Sequence, residues 1–439
     1  LTVERLGVPT APVVTQRFID LVKTISYKKG MPNQRFTFIP HPVAGRPPEI
    51  CNQYVRGKDP VTDKPVVEEL VAALTAPLTA EEKKTGFLIR PPQPRMLEPD
   101  TPTNLARLFD ENGWTDGLPI VLPTEERVAE MLKGTSHAAD EIVGTMRPSP
   151  PHEAWEFTVE MVATNAVMAG AKPEYLPVIL ALASTGVTSL FSSTTSFVRM
   201  AVVNGPITEE INMNGGIGAL GPFNTANSTI GRAWTLISKN LGGGGTPGQT
   251  YLGSQGTSHN FSNILFPERE DRLPDGWKPF HVQKGYKPGE SVVSTFTGWS
   301  IIHGGGFTTK HSNILKREMM PFASGRAQIT FLLDPIVAND LHDYEDFKTK
   351  EQVSEWLMKN AGTPARAYWR SHRDELQKAK EGVEPYATWL KYPEEAYIPV
   401  SGFNPEVPIE IILVGGETNA FFLVGDFRHV SSASVDNWR

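Results

Sequence analysis

The chain has 439 residues, 39% of them apolar and 21% charged, with a formal net charge of −7, which is material for two or three domains with a substantial core. The acidic balance leaves no basic surplus for nucleic acid, and no apolar run approaches the length that crosses a bilayer. One cysteine, Cys51, excludes an internal disulfide framework and a multi-cysteine metal site. No basic leader precedes an apolar segment, so the expected location is the cytoplasm of a bacterium.

Residues 1–7 read as the end of a helix, 8–15 as a buried strand, 16–29 as an amphipathic helix and 36–40 as another strand. A chain that opens inside an α/β pattern needs further strands to cover both faces of its sheet. We therefore expect an incomplete, Rossmann-like segment over residues 1–87, completed by a partner chain. Cys51 follows a Pro-rich turn with no basic neighbour, the setting of a structural thiol. After a helix at 65–74, residues 88–103 hold five prolines and read as a linker. Residues 104–439 form the expected larger mixed α/β domain.

In that domain Thr124 precedes a helix at 123–132 whose first turn carries Glu125 and Glu126. A helix at 154–170 stops at Gly170, and Pro173 opens a second that runs to about 191. Glu160 and Asn165 interrupt the apolar face of the first, and either bond a neighbouring helix end or point into a site. Residues 198–203 form a buried strand that delivers Asn204 to a Gly-rich loop. Further strands are expected at 291–296, 328–333, 408–414 and 421–424, and a helix at 353–360; no tandem repeat is visible.

The loop carries the strongest signal. Five glycines and two prolines fall between Gly205 and Pro222, a loss of burial accepted where the main chain must approach a ligand closely. Ile230, Ala233, Trp234, Ile237 and Leu241 then make one apolar helical stripe. Asn224, Asn227, Ser228 and Thr229 are cap-type residues at its start, so free N–H groups and the positive dipole end suit an anionic guest. The other reading is a connector whose asparagines only close turns. Gly216, Gly218 and Gly221 match G-x-G-x-x-G, but the polar stretch before them does not make the strand of a dinucleotide fold. Asn204, Asn214, Gly216, Gly218, Asn224, Asn227, Ser228 and Thr229 are the expected substrate contacts. A second Gly cluster, 242–248, leads to two more, Gln255 and His259.

For acid–base chemistry the best placed residue is His303, at a strand end beside Gly304, Gly305 and Gly306, with Lys310 to hold an anion and Glu160 as a carboxylate. His152, Glu153, Glu209 and Glu210 are further sources. His259, His303 and His311 are irregularly spaced, so no metal ligands are assigned, although a zinc-assisted reading using His303 and His259 stays open.

The blocks Gly7-Val-Pro-Thr-Ala-Pro-Val-Val-Thr15, Gly30-Met-Pro and Phe38-Ile-Pro-His41-Pro-Val-Ala-Gly45 resemble the segment that follows the catalytic-looking motif of the bacterial UGSC family, named for selenocysteine or cysteine, Gly, Ser and Cys. Asp116-Gly-Leu-Pro, Thr158-Val-Glu160, Asn165-Ala-Val-Met-Ala-Gly170, Pro173-Glu-Tyr175, Asn204-Gly-Pro206, the helix start at 224–232 and residues 277–285 resemble the large uncharacterised protein seen beside it. The resemblance implies a small companion subunit that carries the selenol or thiol motif, and hence a hetero-oligomer. It also implies that relatives have cysteine where this chain has Ala171, Ala219 and Ser262, which leaves this chain without their thiols; Cys51 matches none of them.

The expectation is an enzyme subunit acting on a small polar or anionic molecule by thiol- or selenol-type redox or lyase chemistry. The alternatives are a metal-assisted hydrolase or lyase and a non-catalytic small-molecule-binding subunit. The sequence names neither the substrate nor any cofactor.

Overall fold

A computed structural model of the protein describes residues 2–85, 94–146, 156–306, 310–322, 328–399 and 408–439. Its strands, in chain order, are β1 (Val13–Thr15), β2 (Thr37–Ile39), β3 (Ile142–Thr145), β4 (Glu156–Thr158), β5 (Val198–Asn204), β6 (Ile264–Pro267), β7 (Val292–Gly298), β8 (Ile301–Gly305), β9 (Thr330–Leu333), β10 (Gly362–Pro364), β11 (Tyr397–Pro399), β12 (Glu410–Leu413), β13 (Phe421–Gly425) and β14 (Arg428–Ser434). The protein is α/β.

Near the N-terminus, β1 and β2 run parallel and are joined by the helix Ile19–Lys28, a single β-α-β unit. The strand expected at 8–15 shortens to three residues, because Pro9 and Pro12 donate nothing to a ladder. Residues Pro48–Arg56 are a helix with proline in its first turn, not the turn expected there. Arg35 ties the unit together: its guanidinium donates to the carbonyls of Ala72, Ala73, Ala76 and Pro77 at the end of the helix Val66–Thr75 and pairs with Glu82. Of the expected linker, residues 88–93 lie outside the described residues.

The larger part is a four-layer stack. Alternation along β5 sends Ala201 and Val203 to one face, against the helices Val159–Ala169, Leu176–Ser184 and Thr225–Asn240. Val198, Met200 and Val202 face the other way, onto Leu332, Ile412 and Val414 of a second sheet. That sheet turns Phe331, Leu333, Ile411 and Leu413 outward, under the helices His311–Glu318, Pro335–Asp343 and Lys350–Asn360. Strands β5, β6, β9 and β12 are thus buried on both sides, which is why they read as largely apolar runs. The helix opened by Pro173 ends at Ser184, well short of 191.

The two sheets repeat one pattern that the sequence hid. Their orders are β14-β7-β5-β6 and β12-β9-β13-β8. In each, a parallel pair is extended by two antiparallel strands. The last strands are exchanged: β8 follows β7 in the chain but lies in the second sheet, and β14 follows β13 but lies in the first. At the crossing, Asp426 Oδ1 accepts the N–H groups of Trp299 and Ser300. Neither sheet is complete without a strand from the other half.

A charged staple joins the sheets at one end. Glu268 donates its N–H to the Val203 carbonyl of the first sheet, and Arg269 donates its own to the Leu413 carbonyl of the second. The Glu268 carboxylate, fully buried, accepts from Lys350 Nζ at 2.6 Å, Asn204 Nδ2 at 2.8 Å and the Phe280 N–H at 2.6 Å. Replacing Lys350 by Met strands a dry carboxylate, so equilibrium urea unfolding should show a loss of about 3–5 kcal/mol. Adding Glu268→Gln should recover most of it.

Candidate functional site

At the C-terminal end of β9 the chain passes from Leu333 into Asp334-Pro335 and the helix Pro335–Asp343. Asp334 is that helix's cap: Oδ1 accepts the Ile336 N–H at 3.0 Å, while Oδ2 accepts the Glu417 N–H at 3.0 Å. The Asp334 carboxylate looks into an open cleft of about 410 Å³, lined on one side by residues 216–221 and on the other by 414–416, Thr418 and Asn419, a volume suited to a small molecule. Leu332, Leu423 and His303 form its floor, in register across β9, β13 and β8. Exposed Ile217, Leu220 and Phe421 form an apolar rim.

Glycine makes this closure possible. A Cβ on Gly415, whose φ is +146°, would stand 2.3 Å from Asp334 Oδ2, and one on Gly416 would stand 2.1 Å from Ile217 Cγ1 and 2.7 Å from its backbone N. The two loops are joined where the Gly415 N–H donates to the Gly215 carbonyl at 2.9 Å, and Arg269 Nη1 donates to the Gly415 carbonyl at 2.8 Å. Among the described residues, the N–H groups of Ile217, Gly218, Leu220, Gly416, Thr418 and Asn419 have no protein acceptor. Facing rows of such groups make a cradle for an oxyanion.

Burial pushes the Asp334 carboxyl above its ordinary value, with the like charge of Glu417 adding to the rise; the two accepted N–H groups and Arg269 oppose it. His303 lies within β8, an edge strand, and its ring is exposed. In register terms His303 and Asp334 are separated by two strand spacings and one residue pair, roughly 10–12 Å of backbone, which leaves room for a small guest between their side chains.

Of the expected contacts, His303, Gly216 and Gly218 line the cleft. The asparagines hold the loop's shape instead. Asn214 Nδ2 donates to the Ile217 carbonyl and to Asn224 Oδ1; Asn224 Nδ2 donates to the carbonyls of Gly218, Ala219 and Gly221; Asn227 accepts the Asn214 N–H and donates to the carbonyls of Asn214 and Ala219. The helix start is thus covered by this network, and the loop itself offers the N–H groups. Ser228 and Thr229 belong to the helix's first turn, where Thr229 Oγ1 donates to the Thr225 carbonyl. The stretch before Gly216 is the short helix Ile207–Glu210 and a turn, not a strand, as a nucleotide fold would need.

The rest stand elsewhere. Asn204 is fully buried and donates to Glu268 and Glu270. Glu160 forms an ion pair with Arg95 at 2.6 Å, which holds it below its ordinary value, and Asn165 bonds Met161 and Asn240. Lys310 stands at the N-cap position of the helix His311–Glu318 without a side-chain cap bond and does not line the cleft. Gln255 and His259 belong to a separate loop, His259 beside Thr257 Oγ1 at 3.1 Å with burial pushing its imidazole down. His152 and Glu153 lie outside the described residues. Sequence reading missed Asp334, Thr418 and Asn419, although Asp-Pro directly after the run Thr330–Leu333 is a strand-to-helix signature.

Position explains the exchange of Asn204 for Asp334. Glu268 N–H to Val203 carbonyl and Val414 N–H to Leu333 carbonyl are the same bond in the two sheets, so Asn204 and Asp334 are equivalent. In the first sheet the space beyond is filled by Lys350 and Phe280; in the second it is open.

Fold and site together define an α/β protein with an open cleft at the carboxyl ends of β9 and β12. Residues 1–75 match the model of the UGSC family, a likeness confined to the N-terminal part of the chain. No curated protein and no solved structure matches the chain. Among the described residues no helix is long and apolar enough to cross a membrane.

Two outcomes test the cleft. Gly416→Ala should expel the 215–221 loop, lowering stability by about 1–3 kcal/mol and speeding hydrogen exchange there. A carboxyl raised in the fold contributes stability below its unfolded value, 3.8, that is lost as pH rises through the folded one. Asp334→Asn should therefore gain stability relative to the parent as pH is raised above 3.8 in urea titrations.

Proposed function

We propose that the cleft binds a small polar molecule bearing a carboxylate or similar oxyanion and carries out acid–base chemistry of the lyase type on it. The observation that carries this reading is the convergence of a carboxyl made more basic by burial with an imidazole and two rows of free N–H groups. The oxyanion rests on the loop N–H groups, which stabilise the charge that develops next to it. Asp334 takes a proton from the carbon beside that group. The electron pair left behind forms a double bond as the neighbouring bond to the leaving group breaks, and His303 protonates the departing atom. Thr418 and Asn419 orient the guest.

This arm is favoured over redox chemistry within the cleft because Cys51, the single cysteine, lies on the helix Pro48–Arg56 of the UGSC-type segment. A thiol or selenol step would then belong to a companion subunit in a hetero-oligomer. Exposed Val13, Val67, Val71 and Leu74 on that segment support such a docking partner. The metal-assisted reading has the least support: His259 is not a cleft residue, and among the described residues no three His, Cys, Asp or Glu side chains are grouped to hold an ion. A cytoplasmic setting fits this chemistry.

The test is a calorimetric screen of the full chain against small 3-hydroxy and 3-amino carboxylates, whose leaving group stands on the carbon next to the one that loses its proton, followed by turnover assays by NMR. Asp334→Asn and His303→Gln should each lower turnover by roughly 10²-fold or more with affinity changed only a few-fold. Loss of affinity without any turnover in the parent would make the protein a binding subunit, and intact turnover in both variants would refute the assignment.

A further inference from the structure

A second cluster lies at the other end of β5. Arg199 shares the helix-covered face with Ala201 and Val203 and is only 6% exposed. Its Nε donates to the Thr188 carbonyl at 2.8 Å, and its guanidinium carbon lies 5.7 Å and 5.8 Å from the ring centres of Phe191 and Phe197. Among the described residues no carboxylate pairs with it, and its terminal nitrogens have no acceptor. The charge that faces it is another cation. Arg199 and Arg428 are both paired with Thr297, from strands on either side of β7, so they share a face about 10 Å apart at the backbone. Burial, with Arg428 adding to it, pushes the Arg199 guanidinium down to about 10.

A buried cation facing a second cation is a costly arrangement unless an anion joins them. The surroundings suit one. Among the described residues the buried hydroxyl of Ser189, next in the chain to the carbonyl that holds Nε, has no partner. Phe191 and Trp299 are 43% and 54% exposed, and Phe197 bridges them at 5.7 Å and 6.0 Å between ring centres. The segment after the second Gly cluster reaches the strand's approach here, with the Ser254 N–H donating to the Thr194 carbonyl.

We propose that Arg199 and Arg428 hold the oxyanion of a small ligand, a phosphate or carboxylate group, whose apolar or aromatic body lies on Phe191, Phe197 and Trp299. A planar guanidinium suits either group through paired N–H donors. This site is on the helix-covered face of the first sheet and does not depend on the acid–base reading of the Asp334 cleft.

The test titrates inorganic phosphate, phenyl phosphate and benzoate into the full chain by calorimetry at low salt. Phenyl phosphate should bind more tightly than inorganic phosphate, and Arg428→Ala, at an exposed side chain, should weaken binding at least roughly tenfold. Benzoate binding as tightly as phenyl phosphate assigns the site to carboxylates; weaker benzoate assigns it to phosphates. Arg199→Met should melt no lower than the parent in anion-free buffer yet lose the rise in melting temperature that phenyl phosphate produces. Asp334→Asn should leave all of this unchanged. No binding of any probe at millimolar concentration, or undiminished binding by Arg428→Ala, overturns the proposal.

Discussion

The buried Glu268 carboxylate is the constraint from which the rest of the larger domain follows. Its oxygens take a lysine ammonium from the helix Lys350–Asn360, the side-chain amide of Asn204 from the end of β5, and the N–H of Phe280. A carboxylate this dry is tolerable only with all three donors in place. The next residue along, Arg269, bonds the second sheet through its N–H and the loop after β12 through its guanidinium. One short segment therefore sets the separation of the two sheets and the height of the Gly415-Gly416 turn. The cleft inherits its shape from that turn.

Strand exchange makes the arrangement cooperative. Because β8 and β14 each complete the sheet of the other half, the inner apolar layer of Met200, Val202, Phe296, Leu332 and Ile412 can close only when both halves are in place. His303 gains its position from this exchange: it leaves the first half with β8 and becomes the edge of the floor whose centre is Leu423. The proposed acid–base pair thus draws on both halves of a repeat, in the way that ligand sites commonly fall where two units meet.

The repeat also clarifies what the polar loops do. Both sheets end a parallel pair in a short polar residue ahead of a helix, Asn204 in one and Asp334 in the other. The first is used for structure, since lysine and glutamate occupy its mouth; the second stays open beneath glycine. Two equivalent positions have separated into a staple and a cleft. Arg199 stands apart from both, a cation placed by strand alternation on the same face of β5 as Ala201 and Val203.

Much of this was fixed by local chemistry. The buried strand at 198–203, the apolar stripe after Asn224, the Gly170 stop and the Thr124 cap are all present as the residues dictate, because period, caps and breakers act within a few residues of themselves. The Gly loop at 216–221 and His303, which the sequence singled out, do line the cleft. Which polar groups face the guest was not legible. Asn214, Asn224 and Asn227 have the composition of a binding loop, yet their amides are consumed by carbonyls that only the folded turn brings within reach, and Glu160 meets an arginine 65 positions away. Asp334 joins the cleft because strands distant in sequence, β9 and β12, lie side by side. Sequence by itself determined where the chain bends and what it buries; the tertiary structure decided which of its polar groups were left over, since hydrogen-bond satisfaction is a property of neighbours in space.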